Sequence, residues 1–169
     1  MNLGIDIGRV IIGPSIDGHA DTNFLGTTLE QAMSTPPAPH SFEILARLER
    51  LFEGRLWLVS KAGPSVQKKT LAWFEHHDVY TATGLDPSRI RFCRERHEKV
   101  GHCQELGITH FIDDRRDVLG HLRGHVEHLF LFGDQKRPAP NWTVPLASWP
   151  ATWEWFERHM GDLDRLRRA

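Results

Sequence analysis

Three apolar runs in this chain each end at a group able to do polar chemistry. LGIDIGRVII, residues 3–12, carries Asp6; RLWLVS, residues 55–60, ends at Ser60; ITHFID, residues 108–113, ends in the carboxylate pair Asp113 and Asp114. Carboxylates can attack an electrophile or bind a hard divalent cation, and a hydroxyl can hydrogen-bond an oxyanion. A carboxylate at the end of an apolar run is costly to bury unpaired, so such a group is usually used for something. Gly8, two residues after Asp6, removes a side chain where the chain must turn or let a ligand approach.

These residues need elements to bring them together. Unalternated apolar runs suit strands covered on both faces, as in a parallel sheet. The first run reads as one short buried strand, interrupted at Gly8 and Arg9. Strands are expected at 3–12, 55–60, 90–93, 108–113 and 128–132. Between them, helical spacing predicts a helix from Phe42 to about Phe52 with Ser41 as N-cap, and one after Pro64 to about His77. Further helices are expected from Lys99 through Leu106, over Asp117–Leu122 and over Ala151–Arg168. Residues 13–28 are turn-rich, with Ile16 and Phe24–Leu25 as possible arms of a small hairpin flap. Residues 137–150 read as irregular. Alternation of strand and helix predicts one α/β domain over residues 1–169, a Rossmann-like three-layer sandwich with a five-stranded, mainly parallel sheet and no large cap domain. In a parallel sheet, Asp6, Ser60 and Asp113–Asp114 all meet at one edge, where ligand crevices form.

Composition narrows the field. The net charge is −1 at neutral pH, so nucleic acid and anionic membranes have no global electrostatic attraction to the chain. Two cysteines do not make a disulfide framework, which suits a reducing, cytoplasmic setting. No signal-peptide pattern and no membrane-length apolar stretch is visible.

The ordered set resembles the haloacid dehalogenase (HAD) superfamily of phosphohydrolases, over most of residues 1–133. Asp6 in DIGRV is similar to that family's first motif, Ser60 to the second, Lys99 to the third, and Asp113-Asp114 in FIDDR to the fourth. The resemblance implies the strand order 3-2-1-4-5. It also implies an Mg²⁺-dependent phosphomonoesterase in which Asp6 forms an aspartyl-phosphate that water hydrolyses. Asp6, the Gly8 carbonyl, Asp113 and Asp114 would hold the metal. Ser60 and Lys99 would bind and stabilise the phosphoryl group, with Arg9 and Lys61 as further substrate contacts. The usual first motif is Asp-x-Asp, and Gly8 stands where its second Asp, the general acid/base, would be. That departure supports a second reading, a non-catalytic HAD-like domain binding metal, phosphate or a protein partner. Carbon–halogen hydrolysis would also use an Asp nucleophile, but it needs no divalent metal, and the acidic pair speaks against it. Capless members of the family act on large substrates or take a lid from another subunit, so the expected partner is a phosphorylated substrate, with a homo-oligomer possible.

Simpler roles stand beside these. Ser60 also suits a helix cap, Lys99 and Lys61 a surface position, Arg9 a solvent-facing turn, and Asp117 the first turn of a helix. Cys93, His97, His102 and Cys103 form a loose cluster whose spacing fits zinc poorly. His76, His77, His121, His125 and His128 read as surface groups, with one of them a candidate for the missing acid/base. The aromatic residues Trp153 to Phe156 of the last helix read as core or docking surface.

Overall fold

The structure is a computed structural model and describes residues 1–13 and 24–168, with side chains through Met160. Its centre is one sheet built from β1 (Leu3–Ile5), β2 (Leu56–Lys61), β3 (Ile90–Cys93), β4 (His110–Asp113), β5 (His128–Phe132) and β6 (Val144–Leu146). The strand order is β3-β2-β1-β4-β5-β6, and every neighbouring pair is parallel. The expected order of the first five strands is found. The sheet has six strands rather than five, because β6 adds itself beside β5 within the stretch read as irregular. Three residues with a central proline carry no strand pattern. Pro145 is exposed on the outermost strand, where its missing N–H interrupts no ladder.

Helices cover both faces, as the long apolar runs require. They are α1 (Leu29–Met33), α2 (Ser41–Leu51), α3 (Pro64–His76), α4 (Val79–Thr83), α5 (Lys99–Glu105), α6 (Arg116–Leu122) and α7 (Trp149–Arg168). The strands distribute their side chains by alternation. Leu56, Leu58, Ile112, Phe130 and Phe132 share one core with Leu45 and Leu48 of α2, Trp73 and Phe74 of α3, and Trp149 and Phe156 of α7. Val59, Phe111, Leu129 and Leu131 share the other with Cys103 of α5 and Val118, Leu119 and Leu122 of α6. Gly4 lies where the Phe111 ring crosses β1. A Cβ there would sit 2.5 Å from the ring.

Several local expectations are corrected. The first strand stops at Ile5. Ile7–Ile12 is a buried turn in which the amides of Val10, Ile11 and Ile12 all reach the Ile7 carbonyl, and Arg9 takes a left-handed conformation with φ 62°. Its apolar residues are buried as a plug and not as a strand, a difference that hydrophobicity does not encode. Ser41 is the first residue of α2 and not its cap: His40 occupies that place with φ 65°, and the buried Ser41 hydroxyl has no partner among the described residues. α1 and α4, five residues each, are too short for periodicity to reveal, although Thr28 and Gln31 form a capping box at α1. α7 starts two residues earlier than expected. Residues 25–28 are bends, so Leu25 is no hairpin strand, and Ile16 lies outside the described residues. No helix among the described residues is long and apolar enough to cross a membrane.

Candidate active site at the carboxyl edge of the sheet

The parallel topology turns three separate runs into one place. Asp6 follows β1 directly, and its amide still donates to the Ile112 carbonyl at 3.0 Å, which fixes it beside β4. Asp113 is the last residue of β4 and is completely buried. One of its carboxylate oxygens accepts from the Arg115 amide at 2.9 Å, closing the turn that leads into α6. Asp114 follows on that turn. One carboxylate oxygen from each of Asp6, Asp113 and Asp114 can be chosen so that all three lie within 4.8 Å of one another.

Lys99 reaches this cluster from the first residue of α5. It is 2% exposed, and its Nζ donates to Asp6 Oδ1 at 2.7 Å and to Asp113 Oδ2 at 2.8 Å. Burial pulls its pKa down, but the two carboxylates outweigh that and hold it above the ordinary lysine value. Lys99 is therefore an ammonium bridge and not a surface lysine. Arg9 faces inward as well: its guanidinium lies 2.6 Å from Asp114 Oδ2.

Lys99 and Arg9 lie against the three carboxylates, and Arg115 acts on Asp114 as well. Burial, and then repulsion from Asp6, pushes Asp113 up, with Lys99 opposing. Burial, and then Asp113 and Asp6, pushes Asp114 up against Arg9 and Arg115. Three converging carboxylates are a hard oxygen donor set that a divalent cation such as Mg²⁺ fits.

Ser60 is buried near the end of β2, the strand next to β1, at the same edge of the sheet. It does not cap α3, whose cap is Gly63 with no side-chain bond. Its hydroxyl makes no hydrogen bond among the described residues. Lys61 ends β2 half-buried and acts electrostatically on Cys93 of the neighbouring strand. Gly8 lies buried in the turn after Asp6, bridged to Ile12. Asp117 stands apart from the cluster, with Arg115 at 3.2 Å and Arg96 at 3.2 Å.

The loose Cys/His cluster does not assemble. Among the described residues the Asp6–Asp113–Asp114 set is the one group of three or more that could hold a metal. Burial pushes the Cys93 thiol up to about 11 and the Cys103 thiol up to about 12, so both are inert at neutral pH. Of the histidines read as surface groups, His77 is half-buried, its Nε2 2.8 Å from the Met33 carbonyl. His128 keeps an exposed side chain beside Glu127, with its ring 4.4 Å from that of buried His110.

Sequence reasoning missed the outer wall of the site, the loop 133–138 after β5. Gln135 donates to the carbonyls of Asp114 at 3.1 Å and Phe132 at 3.0 Å, which ties this loop to the carboxylate turn. The one available signal was Gly133 closing a fifth apolar run, which places the next residues at the same edge. Neither a protein-family model nor a curated protein matches the chain.

Proposed function

We propose that the protein is an Mg²⁺-dependent phosphomonoester hydrolase with Asp6 as its nucleophile. The observation that carries this reading is the convergence of the Asp6, Asp113 and Asp114 carboxylates beside Lys99, a hard oxygen donor set that suits a divalent cation. Asp6, Asp113 and Asp114, with the Gly8 carbonyl, would hold the ion. When bound it would supply Lewis-acid polarisation and mask repulsion between the carboxylates and the phosphate.

The chain's own residues then do the following. A carboxylate oxygen of Asp6 attacks phosphorus in line, and the P–O bond to the leaving group breaks with its electron pair on the leaving oxygen. Lys99 positions Asp6 through the bond to its Oδ1 and offsets charge gathering on the phosphoryl oxygens. The Ser60 hydroxyl donates to one of those oxygens. Water then attacks the phosphorus of the aspartyl-phosphate, releasing inorganic phosphate and restoring the Asp6 carboxylate. Position 8 has no side chain to protonate the leaving oxygen, so solvent supplies that proton. Rates should therefore rise steeply as the leaving alcohol becomes more acidic. A reducing cytoplasm suits the two unpaired, buried thiols.

The test is phosphate release from a panel of phosphomonoesters of graded leaving-group pKa, with and without Mg²⁺, beside Asp6→Asn. Turnover is expected to need both the metal and Asp6, with p-nitrophenyl phosphate well ahead of alkyl phosphates. Full metal-dependent activity in Asp6→Asn rules the assignment out. The glycine at position 8 favours one other reading, a domain that binds metal and phosphate without turnover. Mg²⁺ binding with no phosphate release from any ester would select it.

A further inference from the structure

Beside the carboxylate cluster lies a cavity of about 880 Å³, and its walls share two residues with the site, Arg9 and Asp114. That volume falls in the range of small-molecule pockets, roughly 300–1,000 Å³. Phe132 and Trp149 form an apolar wall, their ring centroids 5.3 Å apart. The Trp149 indole donates to the Val10 carbonyl at 2.8 Å, so this wall is fastened to the turn that carries Arg9.

Opposite charge is not balanced across the cavity. Its cationic side chains are five and its acidic ones three. Arg9 lies on Asp114 and Arg115 on Asp117, while Arg116 is spent on the carbonyls of Arg137 and Pro138. Lys136 and Arg137 remain, with Asp134 as the one acid near them in sequence, and neither has an ion pair among the described residues. They are not carried on a loose loop. Gln135 pins it to the Asp114 and Phe132 carbonyls, and Arg116 clamps it from the other side. The backbone that carries these two exposed side chains is therefore held at a set place beside the carboxylates and next to an apolar wall.

We propose that this cavity receives the leaving group of the substrate, and that the leaving group carries a second phosphate recognised by Lys136 and Arg137. This rests on the phosphatase reading above. The substrate class is a small bisphosphorylated metabolite with a compact organic body. Two cations match a dianionic phosphate better than a single carboxylate, and the guanidinium fork suits its oxygens. The chain's net charge of −1 disfavours a polynucleotide.

The experiment compares bisphosphates with their own monophosphates: fructose 1,6-bisphosphate against fructose 1- and 6-phosphate, and adenosine 3′,5′-bisphosphate against the 3′- and 5′-monophosphates. Wild type should favour a bisphosphate by about 10- to 100-fold in kcat/KM, chiefly through KM, the scale of charge-assisted contacts. In the Lys136→Ala/Arg137→Ala protein that ratio should fall towards one. Both substitutions keep the backbone carbonyls that Arg116 holds. Equal kcat/KM for both pairs in wild type overturns the proposal. So does a double variant that slows both members of a pair alike and keeps their ratio, since that is a loss of fold or chemistry. If wild type hydrolyses none of these esters, calorimetric binding decides the cavity's role, while release of phosphate from p-nitrophenyl phosphate decides the phosphatase reading separately. Tighter bisphosphate binding that the double variant loses supports it; equal affinity for mono- and bisphosphate overturns it.

Discussion

Lys99 is an ammonium with almost no water around it, held by Asp6 and Asp113. Removing it leaves two buried carboxylates without their shared partner, a loss of about 3–5 kcal/mol by analogy with other broken buried pairs. Lys99→Met should show this in urea denaturation, and the deficit should grow with pH. Without the ammonium the native carboxyls hold their protons more tightly than the unfolded chain does. The native state then binds more protons, and stability falls as pH rises above the ordinary carboxylate range. A deficit no larger at pH 8 than at pH 5 would contradict this account of the bridge. His110 has the opposite sign. It is buried on β4, and burial, then His128, pushes its pKa down to about 4 from 6.5. The unfolded chain binds the extra proton between those values, so its contribution is full above pH 6.5 and is lost as pH falls towards 4. The shift corresponds to at most about 3 kcal/mol. The raised carboxyls tilt the wild-type curve the other way, so the informative quantity is the difference between wild type and His110→Phe. That difference should change between pH 7 and pH 5.

At the scale of elements, β1 is three residues long, yet every functional group depends on it. Gly4 lets the Phe111 ring cross it, and Phe111 in turn lies 5.5 Å from Lys99 Nζ. Gly4→Ala should cost about 1–3 kcal/mol, as overpacking does in a filled core. The loss should appear as a lower Tm, and, on the proposed phosphatase reading, phosphate release should fall more than the folded fraction does because the displaced ring lies against the ammonium. The start of α7 has a comparable role. Trp149→Phe keeps an aromatic side chain but shrinks it and removes the bond to the Val10 carbonyl, an expected loss of about 1–2 kcal/mol for the buried acceptor left unpaired, with lost packing added to it. An unchanged Tm would mean that water replaces the indole there.

For the whole molecule, an open parallel sheet gathers residues 93 and more positions apart at one edge, and the expected consequence is linkage to a cation. Mg²⁺ should raise the Tm, by about 2.7 kcal/mol of stabilisation at a hundredfold excess over its Kd. Asp114→Asn should weaken this response. Because Asp113 and Asp114 hold protons above the ordinary range, cation binding must displace them, so Mg²⁺ affinity should rise between pH 6 and pH 8 and proton release should be measurable by calorimetry in buffers of different ionisation enthalpy. Much of this architecture was legible beforehand. Apolar runs without alternation specify buried parallel strands, because only a sheet covered on both faces uses them, and the strand ends with Asp6, Ser60 and Asp113 followed from their positions in those runs. Three features belong to tertiary structure. The Ile7–Ile12 plug and the β1 boundary depend on where the neighbouring strands stop bonding, not on hydrophobicity. β6 exists because β5 offers it an edge; Val144–Leu146 has no strand pattern of its own. The inward turn of Lys99 and Arg9, and the cavity closed by Gln135, Arg116 and Trp149, arise from contacts between segments distant in the chain. A local sequence pattern specifies which residues are apolar and which are charged. Which charge meets which is decided when the sheet brings their backbones together, because the energy of an ion pair depends on a separation that exists only in the folded chain.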